Sequence, residues 1–368
     1  MSISFGTAIG KRGKIIRGTI DLQVLPTGQI EKLAVVIASG KKLGPTFLIT
    51  ANIHGPELTG IIVIHRLLEN INLDDLSGEI VFIPSLNPSG LRAGTRYPQF
   101  EAADPNRKWP SCKPKKEEDL SGDWLSHITR QSVELTPTER VWQRLFDEFK
   151  KLSPDFHIDL HTYATEALPH SIITPVYYAD DKNEAEKLSH RCLSMSDASG
   201  LTTIAAARLI HPLTKEIHRT TTAAVTNLLK TSSCTFELGS GYEVQSISRE
   251  LGIKAVKNVL KWAQMLPGEK EALPEGYFVK TNELHRLFMY PIAPCSGILD
   301  VYVEIGKPFK KGDVLGKIRS IDGIVLHEIK AEFDGFILNW MPGIAKYEGE
   351  ILAFTSAPHR LPMIEKLL

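Results

Sequence analysis

Short apolar runs that each stop at a chemically active residue constrain this chain most. Thr46-Phe47-Leu48-Ile49-Thr50 leads into Asn52-Ile53-His54-Gly55-Pro56-Glu57, and then into LTGIIVIHRLLENI, whose apolar residues recur at helical spacing. The same order returns further on. EIVFIP (79–84) runs into an Asn87-Pro88-Ser89-Gly90 turn, Phe156 to Leu160 ends at His161, and Thr235-Phe236-Glu237-Leu238 precedes Gly239-Ser240-Gly241. Helical patterns fall between them, from Thr136-Pro137-Thr138-Glu139 through VWQRLFDEFKKL, and over 183–199, 220–230 and 246–265. Strands alternating with helices predict an α/β domain whose mixed, mainly parallel sheet is flanked by helices. Ahead of it, Ile20, Leu22 and Val24, then Leu33 to Ile37, predict an N-terminal β segment over residues 1–45. Residues 100–138 mix Pro, Gly and charges and read as irregular.

The pattern changes after Pro274. Residues 276–356 carry Val and Ile at alternating positions between Gly-Lys, Lys-Gly-Asp and Asp-Gly turns, with no helical period. This predicts two units, 1–270 and a small all-β unit over 275–368, joined by the linker GEKEALP. A length of 368 residues and an apolar fraction of 42% are enough for two cores. Lys and Arg number 43 and Asp and Glu number 43, so no large basic footprint for nucleic acid is expected. No run of 18 apolar residues marks a membrane span, and MSISFGTAIGKRGKIIRG lacks the apolar stretch of a signal peptide. Cys112, Cys192, Cys234 and Cys295 lie far apart, without zinc-finger spacing. A cytoplasmic protein with reduced thiols is the reading, and any metal must use His and carboxylates.

His54 and Glu57 sit three residues apart beyond a buried-type strand, and His161 ends another. In open α/β sheets, ligands bind beyond the strand C-ends. Two imidazoles and one carboxylate form the His₂Glu set of catalytic zinc sites, with a fourth position left for water. A second carboxylate is then needed to shuttle the proton, and Glu237 fits that place. Asp159, two residues before His161, faces the same side and is placed to orient a metal ligand. Arg96, Asn106 and Arg107 lie in GTRYPQFEAADPNRKWP, and guanidinium groups recognise carboxylates or stabilise an oxyanion. Arg92 lies four residues from Arg96, and Arg96 is preferred.

The series HGPE (54–57), NPSG (87–90), TRY (95–97), DPNR (104–107), DLHT (159–162) and TFELG (235–239) resembles the succinylglutamate desuccinylase/aspartoacylase family, a branch of the zinc carboxypeptidase fold. The resemblance covers roughly residues 45 to 355. It implies that residues 1–270 form a zinc hydrolase domain in which His54, Glu57 and His161 bind Zn. By the same resemblance, Glu237 acts as general base and then general acid, and Arg107 holds the oxyanion. Arg96 and Asn106 grip a carboxylate of a small-molecule substrate, which is an N-acyl amino acid or related amide. A zinc carboxypeptidase acting on peptides is the alternative, and a non-catalytic binding protein the third reading. Three departures stand out: Pro56 before Glu57, Pro105 where relatives have Leu, and the long CKPKKEEDLSGDW insertion after Arg107. Relatives also use a tyrosine near the site, and Tyr163, Tyr242 and Tyr290 remain open. The C-terminal segment VEIGKPFKKGDVLGKI, then IKAEFDGFI, resembles a biotinyl/lipoyl barrel-sandwich. Lys330 sits inside a strand rather than at a hairpin tip, so no cofactor attachment is expected, and a lid or homo-oligomer surface is expected instead.

Overall fold

The structure is a computed structural model, and it describes residues 3–113, 135–206, 216–281, 283–359 and 363–367. The CKPKKEEDLSGDW insertion lies mostly outside the described residues. β1 (Ser4–Phe5) and β2 (Ala8–Ile9) form a small ribbon against the long hairpin β3 (Lys14–Val24) and β4 (Ile30–Ser39). β5 (Lys42–Ala51) then dives into the centre, and its residues Phe47 to Ala51 are all buried. A strand covered on both faces needs this continuous run instead of apolar–polar alternation.

α1 (Thr59–Asn70), β6 (Ser77–Ile83) and the short α2 (Pro88–Ala93) follow. α3 (Pro137–Leu152) starts where the sequence predicts it. The Thr136 hydroxyl accepts from the Glu139 N–H, the Glu139 carboxylate accepts from the Thr136 N–H, and Pro137 occupies the first turn. β7 (Phe156–Tyr163), β8 (His170–Ile173), β9 (Val176–Tyr178), α4 (Lys182–Ala198) and β10 (Thr202–Ala205) come next. α5 (Thr221–Leu229), β11 (Ser232–Ser240) and α6 (Ser246–Trp262) complete the α/β body.

Side chains of β5 alternate between two cores. Phe47, Ile49 and Ala51 pack under α1, α4 and α6, beside Val63, Leu188 and Val256. Leu48 faces the other way, with Val35 and Ile37 of β4, against α3 and α5. There Trp109 stacks on Trp142 of α3 with ring centroids 5.3 Å apart. The result is a helix–sheet–helix sandwich, the form in which a largely parallel sheet hides both faces from water.

Twelve strands make up the sheet, in the order β14-β17-β19-β12-β10-β8-β11-β7-β5-β6-β4-β3. Here β12 is His285–Met289, β14 is Pro308–Phe309, β17 is Gly335–Trp340 and β19 is Ala353–Pro358. The pairs β6–β5, β5–β7, β7–β11, β8–β10 and β10–β12 are parallel. The N-terminal hairpin and the C-terminal strands add antiparallel flanks, so the sheet is mixed.

Strands from the C-terminal region thus extend the main sheet. A second sheet, in the order β16-β15-β13-β18, packs on their far end. It consists of β13 (Gly297–Val301), β15 (Val314–Arg319), β16 (Val325–Lys330) and β18 (Ala345–Lys346). Leu299, Leu315, Ile318, Ile329 and Ile337 fill the space between the two sheets. β20 (Ile364–Lys366) pairs in parallel with β9. No helix among the described residues follows Trp262, and none is long and apolar enough to cross a membrane.

Candidate active site

Two glycine motifs interlock to build the loop after β5. Asn52 takes the left-handed backbone conformation at φ 57°, which Asn tolerates better than most residues. Its amide then donates to the carbonyls of His54, Gly55 and Glu57 at 3.0, 2.8 and 3.0 Å, and its oxygen accepts from the Ser85 hydroxyl at 2.7 Å. Asn87 caps α2 by accepting from the Gly90 N–H at 2.9 Å and reaches across to the Ile53 carbonyl at 3.0 Å. A Cβ on Gly55 would lie 2.2 Å from the Gly90 carbonyl oxygen, and one on Gly90 would lie 2.4 Å from the Asn87 amide nitrogen, so both glycines are needed for the close approach.

This loop brings His54 and Glu57 against His161 near the end of β7. Glu57 Oε1 lies 2.7 Å from His54 Nδ1, and Glu57 Oε2 lies 3.0 Å from His161 Nδ1. The outer nitrogens face carboxylates. His54 Nε2 meets Asp104 at 3.1 Å, and His161 Nε2 meets Asp159 at 3.0 Å. Every one of these carboxylates, Glu57 included, can only accept, so a ring nitrogen facing one carries a proton unless a cation takes its place. The Nε2 protons stay directed at Asp104 and Asp159, and a cation between the rings would leave each Nδ1 bare. Two lone pairs and a carboxylate then converge, with ligand atoms within 4.8 Å of one another. Only further protons or a cation relieve such a set, and its N, N, O chemistry suits zinc.

The electrostatics agree with this picture. Burial alone would raise the Glu57 carboxyl, yet His54 and His161 hold it far below the usual range. His161 is raised well above an ordinary imidazole, because Asp159 and Glu57 outweigh its burial. Asp104 is likewise held low against its burial, by His54, Arg96 and Arg107.

Glu237 sits on β11, in register with His161 across a parallel pair. Glu237 is half-buried, and its Oε2 atom is buried with no hydrogen-bond partner. Burial pushes its carboxyl up to about 7, with His161 pulling the other way. Gly239, at φ 93°, then bends the strand at a register shift between Glu237 and Ser240. Across the antiparallel β8 pair, Glu237 faces His170, whose Nδ1 donates to the Leu168 carbonyl at 2.7 Å and whose Nε2 is buried without a partner.

Pro105 opens the short 3₁₀ turn Pro105–Arg107, where a proline fits because its missing N–H would have no helical acceptor. Asp104 caps that turn, accepting from the Asn106 N–H at 2.9 Å while also holding His54. Asn106 Oδ1 accepts from the N–H and hydroxyl of Thr221 at the start of α5, at 2.9 and 3.1 Å. Its Nδ2 stays on the site side, 3.5 Å from His161 Nε2. Arg107 donates to the Asn106 carbonyl at 2.7 Å, and burial lowers its guanidinium.

Arg96 donates to Asp104 at 2.9 Å and lies 3.6 Å from Glu57. Arg92 instead pairs with Glu31 at 2.8 Å, outside this cluster. Tyr163 feels the charges of Glu237 and Glu57 and packs 5.7 Å from the His170 ring, so among the three tyrosines it is the one at the site. Tyr242 is exposed, and Tyr290 donates to the Lys330 carbonyl in the C-terminal β region. Lys330 ends β16, away from a hairpin tip. Asp104 stood inside the DPNR motif, and its partnership with His54 needs a fold to become visible. Thr50, His157 and His170 carry no local motif at all.

Residues 43–263 match the succinylglutamate desuccinylase/aspartoacylase catalytic domain. This family match indicates a deacylase of the amidohydrolase type. The chain belongs to the succinylglutamate desuccinylase/aspartoacylase family, since the match covers more than half of it. It is 23% identical over 299 residues to an N-alpha-acetyl-L-2,4-diaminobutyric acid deacetylase of Halomonas elongata, covering 80% of this chain and 77% of that one. The fold resembles the crystal structure of a succinylglutamate desuccinylase/aspartoacylase from Rhodobacter sphaeroides, with TM-score 0.73, 19% identity and coverage of 96% and 99% of the two chains. It also resembles the product-bound ectoine utilization protein EutE (DoeB) from Ruegeria pomeroyi, with TM-score 0.68, 19% identity and coverage of 94% and 96%.

Proposed function

We propose that this chain is a zinc-dependent cytoplasmic deacylase that hydrolyses the amide bond of a small N-acyl amino acid or related amide. The observation that carries the reading is the convergence of His54, Glu57 and His161 beside Glu237, whose Oε2 is buried and unpartnered. His54, Glu57 and His161 would hold the metal, and Asp104 and Asp159 orient the two rings. When bound, zinc supplies a Lewis acid and makes a bound water acidic near neutral pH.

The protein's own groups do the rest. Glu237 takes the proton from the attacking water and returns it to the leaving amine, a task suited to a carboxyl raised toward neutrality. Arg107 is a half-buried cation that donates to the oxyanion of the tetrahedral intermediate. Arg96, with a half-exposed guanidinium, and the Asn106 amide Nδ2 hold the substrate carboxylate.

The test combines zinc content with a substrate panel of acetyl, succinyl and longer acyl amides of acidic, neutral and diamino acids. N-α-acetyl-2,4-diaminobutyrate belongs in it because of the Halomonas relative. One equivalent of zinc and hydrolysis lost in His54→Ala are expected. Less than one equivalent, with activity intact in His54→Ala, overturns the reading.

A further inference from the structure

A hydrogen-bonded chain runs from His161 into the sheet, and none of its inner members touches the reacting groups. It begins at His161 Nε2, 3.0 Å from Asp159 Oδ2. Asp159 Oδ1 accepts from the Thr50 hydroxyl at 2.7 Å. Thr50 Oγ1 lies 2.9 Å from His157 Nε2, and His157 Nδ1 lies 2.7 Å from the Ser233 hydroxyl. The members come from three neighbouring strands, β5, β7 and β11, and all are buried.

Proton positions along this chain are determined. A carboxylate cannot donate, so the single Thr50 proton goes to Asp159. The Thr50 oxygen must then accept, which places a proton on His157 Nε2. Burial keeps the His157 ring neutral, with its pKa lowered to about 4. Its Nδ1 is therefore bare and accepts from Ser233. At the other end, both Asp159 oxygens are engaged, so this carboxylate cannot swing away from His161.

We propose that His157 is a positioning residue: acting through Thr50 and Asp159, it fixes the His161 ring with Nε2–H inward and Nδ1 toward Glu57. A neutral histidine in the middle of a sheet costs free energy, since a nonpolar residue of similar size would need no partners. Here it supplies a donor that a nonpolar side chain cannot. The consequence for metal binding rests on the zinc reading above, while the proton order on His157 does not.

Two measurements on the full chain test this. The first is ¹⁵N NMR of the His157 ring in the metal-free protein, which is expected to show the Nε2–H tautomer. The second is zinc affinity by competition with a chromophoric chelator. Thr50→Val keeps the shape and removes the hydroxyl, and His157→Phe removes the donor. Each is expected to weaken zinc binding about tenfold, the lower end of what loss of a group supporting a metal ligand costs. His157→Gln, whose amide can donate to Thr50 and accept from Ser233, is expected to recover most of that loss. A burial effect alone would not separate Gln from Phe in this direction. An Nδ1–H tautomer at His157, or wild-type zinc affinity in a folded Thr50→Val protein, overturns the proposal. Wild-type protein that binds no zinc overturns the functional reading instead, and the tautomer then decides this one.

Discussion

Glu237 is expected to be indispensable to turnover and dispensable to metal binding, because it lies beside the ligand set without belonging to it. Glu237→Gln should lower kcat by about 10²–10⁴-fold while zinc content stays at one equivalent. Persistent activity in that variant would identify a different base. The acid limb of the rate profile has a defined sign. The base works ionised, so activity falls as pH drops through the Glu237 pKa. Without a cation that pKa is about 7, and a bound cation favours the carboxylate, so the limb of the zinc-loaded enzyme should fall below 7. His157 and His170 set a different pH dependence. Burial lowers both rings to about 4 from an ordinary value of 6.5. The unfolded chain takes up these protons first, so stability is lost as pH falls from about 6.5 toward 4, by up to roughly 3 kcal/mol per ring. Urea unfolding at pH 7 and pH 5 measures it, and His170→Phe should shrink the difference. The proposed ligands were legible in the sequence because HGPE and DLHT each sit within a few residues, and the proposed base because TFELG does. Asn52 was not, since its role depends on a left-handed backbone and three carbonyls that local spacing does not encode.

At the scale of elements, the loop after β5 and the turn into α2 behave as one joint. Gly55→Ala places a methyl group against the backbone of Gly90, which no flexible side chain can relieve. This substitution should cost about 1–3 kcal/mol and reduce zinc binding with it, measurable by thermal melts and by metal content. The capping box of α3 is a separable feature on the opposite face. Thr136→Ala should cost about 1 kcal/mol and leave kcat unchanged. Helix starts such as this were readable from the sequence because the cap, the first-turn proline and the acidic residue are contiguous. The strand partners were not. A period of two marks a strand in residues 285–358 but says nothing about which edge it joins, and β12, β17 and β19 join the main sheet.

At the scale of the molecule, that junction predicts interdependence. β12 pairs with β10, Leu168 N–H donates to the Leu338 carbonyl at 2.8 Å, and the Thr165 hydroxyl donates to the Trp340 carbonyl at 3.0 Å. A chain truncated after residue 270 leaves the β10 edge open and Ile204 without Leu287, Phe336 and Leu338 around it. It should fail to unfold cooperatively in urea. Two independent melting transitions in the full chain would refute this coupling.

The same junction sets an order of events during synthesis. The segment 164–169 leaves the end of β7, three residues beyond His161, and is held by strand β17, about 170 residues later in the chain. A nascent chain that has released every proposed metal ligand and Glu237 still lacks the strand that anchors this segment. With N-terminal parts emerging first at about 5–20 residues per second, the segment next to His161 stays unanchored for several seconds after the proposed ligands have left the ribosome. The surroundings of the proposed site are thus completed from the far end of the polypeptide, and a partly made chain carries the proposed ligands before the segment beside them is anchored.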